Sequence, residues 1–139
     1  MLNPSTADAS KDDQTIRRCI GFAKRWGLDG ITVTNLYPFR ATHPRDLWKA
    51  EDREGPWAKH SLDRVNDRAI IGHAKGAAVV VCAWGANAKE DRSEWVLDYL
   101  IRRGIEPRCL GTTKGGQPLH PLRLPNRTEP QWYPRVDHA

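Results

Sequence analysis

A chain of 139 residues can enclose one hydrophobic core and not two. With 39% hydrophobic and 28% charged residues, no apolar run of membrane-spanning length and no charged-then-apolar segment before Asn3-Pro4, the chain is expected to be cytoplasmic. A formal charge of +5 and a pI near 9.4 favour a polyanionic partner, whereas three scattered cysteines (Cys19, Cys82, Cys109) without a CxxC pair give no zinc or iron–sulfur ligand set, so neither metal nor cofactor is expected.

The opening MLNPSTADAS is either a simple turn around Pro4 or the first strand-to-helix loop of a sheet whose first strand ends at Met1 and Leu2. DDQTIRRCIGFAKRWG then reads as a helix, with Ile16, Cys19, Ile20, Ala23 and Trp26 at three-to-four spacing. Asp12 or Asp13 caps its start, and Gly27 ends it. Gly30 introduces the β-branched strand ITVTN, which stops at the proline-containing loop LYPFRATHPRD. Residues 46–60 are irregular or partly helical. A second helix covers Ser61–Ala74, with Leu62, Val65, Ala69 and Ile70 or Gly72 inward.

GAAVVVCAW is apolar throughout, the pattern of an inner strand covered on both faces, with Val79–Cys82 at its centre. A third helix spans Ser93–Arg103, turning Val96, Leu97, Leu100 and Ile101 inward and stopping at Gly104. Pro107–Leu110 is a short strand and GTTKGGQPLHPLRLP a loop. The stretch after Pro125 has no periodicity, which leaves residues 1–125 as one domain and 126–139 as an irregular tail.

Strands alternating with helices imply an α/β fold of three layers, a central parallel sheet of about four strands between helices. The opening is therefore better read as the first loop of that sheet, a reading that leaves open whether the natural chain starts at Met1 or upstream of it. Four segments then begin where strands end: NPSTAD, NLYPFRAT, WGANA and KGGQPLHP. Ligands of open α/β sheets bind at that edge. Taken singly, each has an ordinary explanation: a turn for Asn3 and Ser5, a surface ion pair with Asp46 for Arg40, a core position for Trp84, a structural imidazole for His120. Taken together, four polar or glycine-rich segments at one edge mark a site.

MLNPSTADA resembles the Asn-Pro motif that opens the active site of mismatch-specific uracil-DNA glycosylases. ITVTNLYPFRAT looks like the Ile-Thr-Asn stretch followed by Arg-Pro in several branches of that superfamily. VVVCAWGANA is similar to its apolar strand ending in Leu-Gly or Trp-Gly, and LHPLRLP to its His-Pro-Ser-Pro-Leu loop. All four occur in the family's order, and the run also looks like a family of short bacterial and phage proteins opening MLNPSTAD. Ser5 stands where the glycine after Asn-Pro is usual, Leu122 stands for the serine of His-Pro-Ser, and the cysteines of the iron–sulfur branches are absent.

The resemblance implies a uracil-DNA-glycosylase-like hydrolase, a monomer acting on DNA without a cofactor, that cleaves the N-glycosidic bond of a flipped damaged or modified base. It implies that Asn3 positions water, with Asp8 or Asp12 as the stronger base, and that His120 donates to a base oxygen as charge develops there. Asn35 would read the base edge, Tyr37 or Phe39 would stack on it, and Ser5 and the Trp84-Gly85 turn would complete the pocket. Leu122 would fill the vacated stack, and Arg40, Lys114, Gly115, Gly116 and Arg123 would contact DNA. Two other functions use the same crevice: N-glycosidic hydrolysis or transfer on a free nucleoside or nucleotide, and non-catalytic binding of modified or single-stranded nucleic acid.

Overall fold

The computed structural model describes residues 1–2, 13–37 and 61–133. Among these, helix α1 spans Gln14–Arg25, α2 Ser61–Gly76 and α3 Glu90–Arg102, while strands β1 (Val80–Cys82), β2 (Pro107–Cys109) and β3 (Gln131–Trp132) form a sheet in the order β1-β2-β3. The fold is mixed α/β. No helix among the described residues is long and apolar enough to cross a membrane.

The helix ends follow local chemistry. Asp13 caps α1, its Oδ1 accepting from the amides of Thr15 at 2.8 Å and Ile16 at 3.2 Å. Gly27 and Gly104, both left-handed, close α1 and α3 in the same way. Leu28 donates to Ala23 O and Gly27 to Lys24 O, as Ile105 donates to Leu100 O and Gly104 to Ile101 O.

The buried faces differ in part from the expected stripes. Val96, Leu97 and Leu100 of α3 are buried as the spacing predicts. On α1, however, Phe22 and Ala23 are buried and Ile20 is exposed; on α2, Ile70, Ile71 and Ala74 are buried and Val65 is exposed. Both helices carry apolar residues over a wide arc, so packing selects which part of the arc turns inward. The core unites these helices with Leu36, Tyr37, Cys82, Trp84, Cys109 and Tyr133.

β1, α3 and β2 make a strand–helix–strand unit whose two strands are parallel, with Val80 opposite Pro107 and Cys82 opposite Cys109. Pro107 lacks an N–H and is tolerated as the first residue of its strand. β3 comes from the stretch read as irregular and pairs antiparallel with β2, Trp132 opposite Arg108 and Gln131 opposite Cys109.

Two differences bear on the site. The ITVTN segment forms no named strand, and β1 stands at one end of the described sheet rather than inside it. Both 31–36 and 79–83 line one cavity, and among the described residues no hydrogen bond joins them. β-branched residues favour an extended backbone, but a strand also needs a partner ladder. The partner of this segment is the chain's opening: the Met1 amine donates to Thr34 O at 3.1 Å, and Leu36 and Tyr37 donate to Met1 O and Leu2 O, each at 2.9 Å. Met1 thus bonds to both residues flanking Asn35, the pattern of a parallel pair.

Candidate functional site

β1 ends at Cys82 and runs into Ala83-Trp84-Gly85. The Trp84 ring is buried, its Nε1 donates to Gln117 Oε1 at 2.7 Å, and Tyr133 meets it edge-on at 6.0 Å. Gly85 has φ +78°, and its amide donates to Pro118 O at 2.9 Å. A Cβ at this position would lie 3.5 Å from His120 Cβ, an ordinary van der Waals contact, so what favours glycine here is the left-handed backbone.

Beyond β2 the chain folds into a hairpin over residues 111–119. Thr113 donates to Gln117 O at 2.7 Å and Leu119 to Gly111 O at 2.9 Å, with a bridge between Thr112 and Pro118. Lys114 and Gly115 are exposed at its tip, whereas the Gly116 amide donates inside the turn to Thr113 O and its carbonyl accepts from Tyr133 Oη at 3.1 Å. Gln117 joins the hairpin to Trp84 and, through Nε2 at 3.5 Å, to Ser93 of α3.

His120 follows this hairpin and is half-buried. Its Nδ1 accepts the Leu122 amide at 3.2 Å, which leaves Nε2 as the protonated nitrogen of the neutral ring. Burial pushes the imidazole below its ordinary value, the Met1 amine acts in the same direction, and Asp13 opposes them. Leu122 is half-buried, and exposed Arg123 sits in the left-handed region at φ 71°, uncommon for a residue with a Cβ.

Asn35 is half-buried and lines the cavity, of about 850 Å³, together with Met1, Cys82, Trp84, Leu110 and Pro121. His120 is not in its lining but immediately precedes Pro121, which is. Tyr37 is buried in the core, and its Oη accepts the Lys89 amide at 3.2 Å, tying the end of this segment to the loop after β1. That burial gives Tyr37 a packing position and no open ring face.

The structure therefore brings Asn35 and Trp84 together in the wall of one cavity, whereas Gly85, the hairpin over residues 111–119 and His120 lie outside its lining. Asn3, Ser5, Asp8, Asp12, Phe39 and Arg40 lie outside the described residues. Among the described residues no three His, Cys, Asp or Glu side chains are gathered where they could hold a metal ion. Burial raises the Cys19 thiol and pushes Cys82 up to about 12, which disfavours a reactive thiolate at either.

Residues 1–122 match the family described as Protein of unknown function (DUF1643). The chain belongs to this family. Neither a curated protein nor a solved structure matches it. The DUF1643 match takes in every segment at the cavity and ends at Leu122, so β3 and Tyr133, which brace the sheet and hairpin from outside, lie beyond the matched stretch.

Sequence reasoning missed Arg92, Asp67, Asn66 and Gln117. Arg92 carried a legible signal, since it stands four residues before Val96 and eight before Leu100, on the buried stripe of α3. Asn66 and Asp67 similarly precede Ile70 and Ile71 by one turn.

The His120 environment predicts an acid dependence of stability. A folded-state value below the ordinary one (about 6.5) means that the unfolded chain binds the proton first. Its contribution is complete above the ordinary value and is lost as pH falls through the depressed folded-state value. Melting temperatures of wild type and His120→Gln between pH 8 and pH 5 should diverge, wild type losing more on acidification. Parallel curves would rule the linkage out.

Proposed function

We propose that this chain is a remote member of the uracil-DNA glycosylase superfamily that hydrolyses the N-glycosidic bond of a damaged or modified base flipped out of DNA. The observation that carries the reading is His120, a half-buried imidazole whose Nδ1 accepts the Leu122 amide and whose environment favours the neutral ring. Cleavage leaves negative charge on the departing base, and a neutral Nε2–H strengthens its hydrogen bond as that charge develops.

In this reading the C1′–N bond breaks with its electron pair leaving on the base, and water oxygen bonds to C1′. Asn3 positions that water and Asp8 accepts its proton. Asn35 reads the base edge with an amide able both to donate and to accept. Ser5 and the Trp84-Gly85 turn complete the pocket, and since Tyr37 is buried the stacking role falls to Phe39. Leu122 fills the vacated stack, while Arg40, Lys114, the Gly115 amide and Arg123 contact phosphates. The Gly116 amide is engaged within its own turn and drops out of that set.

The finer fold belongs to the same proposal: a three-layer domain with a parallel sheet of about four strands, in which residues 1–2 and 31–37 supply the strands beside β1. The bonds of Met1 to Thr34 and Leu36 support it. Mass spectrometry of free bases released from a panel of modified DNAs, including phage DNAs with substituted pyrimidines, tests the function. Release of one base, with binding that weakens steeply as salt rises, is the expected result. Retained binding without release across the panel would indicate a binding module, and release only from free nucleosides or nucleotides would indicate a nucleotide enzyme.

A further inference from the structure

Arg92 of α3 is only 1% exposed. Its Nε donates to Leu36 O at 2.8 Å, its Nη2 donates to Asp67 Oδ1 of α2 at 2.6 Å, and its guanidinium lies 5.4 Å from the centre of the Trp95 ring. From α2, Asn66 Nδ2 donates to Asn35 O at 2.8 Å and reaches Leu36 O at 3.4 Å. Two helices thus direct donors, one buried and one half-buried, at two successive carbonyls.

Those carbonyls end a segment that belongs to no named strand, and among the described residues no backbone amide donates to either of them. A buried ion pair is weak ground for stability, because desolvation of both ions offsets their attraction, and apolar side chains would hold α2 to α3 as well. Apolar side chains cannot, however, donate to a backbone carbonyl. The rigid fork of arginine can serve a carbonyl and a carboxylate at once, which the point charge of lysine does poorly.

We infer that Arg92, oriented by Asp67 and assisted by Asn66, is a positioning residue: it fixes the Asn35–Leu36 peptide at the cavity wall and so the direction in which Asn35 meets its ligand. Ligand selectivity is then governed by a side chain that acts only through the backbone. That the ligand is an extruded base rests on the glycosylase reading; the positioning itself does not.

The test separates position from stability. The double variant Arg92→Met/Asp67→Leu removes both charges together and should melt close to wild type. The amides of Leu36 and Tyr37 should nevertheless exchange at least about tenfold faster, while that of Cys109 in β2 is unchanged. The ratio of release rates between the preferred base and the next best should fall by about 10²-fold, the cost of a small misplacement, and Arg92→Lys should not restore it. Asn66→Ala, which leaves the ion pair intact, should move both readouts in the same direction and serves if the double variant fails to fold. Unchanged exchange at Leu36 and Tyr37, or an equal loss on every base with the ratio preserved, would overturn the inference. A wild-type chain that releases no base would overturn the glycosylase reading alone, and the exchange comparison would then decide the positioning role.

Discussion

His120→Ala is expected to slow base release by about 10²–10³-fold while DNA affinity stays near its wild-type value. The imidazole acts where charge appears, so its removal affects the transition state and leaves the bound substrate almost untouched. The Leu122 amide and the depressed proton affinity together favour the neutral tautomer with Nε2–H, which needs no proton uptake before it donates. His120→Asn keeps a donor of shorter reach and should recover part of the loss. Single-turnover rates on a saturating oligonucleotide, with affinity measured separately, provide the check. A fall in affinity as large as the fall in rate would make His120 a binding residue, and an unchanged rate would remove it from the chemistry.

Asp67→Ala is the substitution expected to cost most stability. It leaves the Arg92 guanidinium buried without its carboxylate, and breaking a buried pair from one side typically costs about 3–5 kcal/mol. Leu36 O and the Trp95 ring still meet the cation, which puts the loss at the lower end, about 3 kcal/mol. For a chain of this size that corresponds to a fall of about 10 °C in melting temperature. The neighbouring pair Arg102–Asp98 is a useful control. It lies one turn apart on α3 with the Arg102 side chain 75% exposed, and such pairs are worth about 0.3–0.5 kcal/mol. Thermal melts of Asp67→Ala, Asp98→Ala and Arg92→Met/Asp67→Leu should therefore rank with the first well below the other two. If Asp67→Ala melted with Asp98→Ala, the Arg92 site would be far better solvated than its burial implies.

What the sequence determined by itself lies where the deciding interaction spans only a few residues. Asp13 caps α1 through amides two and three positions ahead, and Gly27 and Gly104 close their helices with bonds spanning three to five residues. The inward stripe Val96, Leu97 and Leu100 repeats within two turns, and the parallel pair β1–β2 follows from a strand–helix–strand order with short connections. Of the residues expected at one edge, Asn35 and Trp84 do line one cavity, Trp84 because it follows β1 directly, whereas His120 follows the hairpin and lies outside that lining.

Tertiary structure alone decided the rest, because the deciding partner is distant in the chain. Phe22 rather than Ile20 turns inward on α1, a choice between two faces of comparable apolarity. Gln131–Trp132 are too few to show a period and become a strand through Arg108 and Cys109. ITVTN has the composition of a strand, yet it forms none, and the partners of Thr34 and of the following Leu36 and Tyr37 are Met1 and Leu2, more than thirty positions away. The spacing of Arg92 puts it on the inward stripe of α3, but its partners, Asp67 and the Leu36 carbonyl, are 25 and 56 positions distant and only the fold supplies them. Proton affinity at His120 likewise depends on burial and on Met1 and Asp13, a field that no local pattern carries because it exists only once the chain has folded around the imidazole.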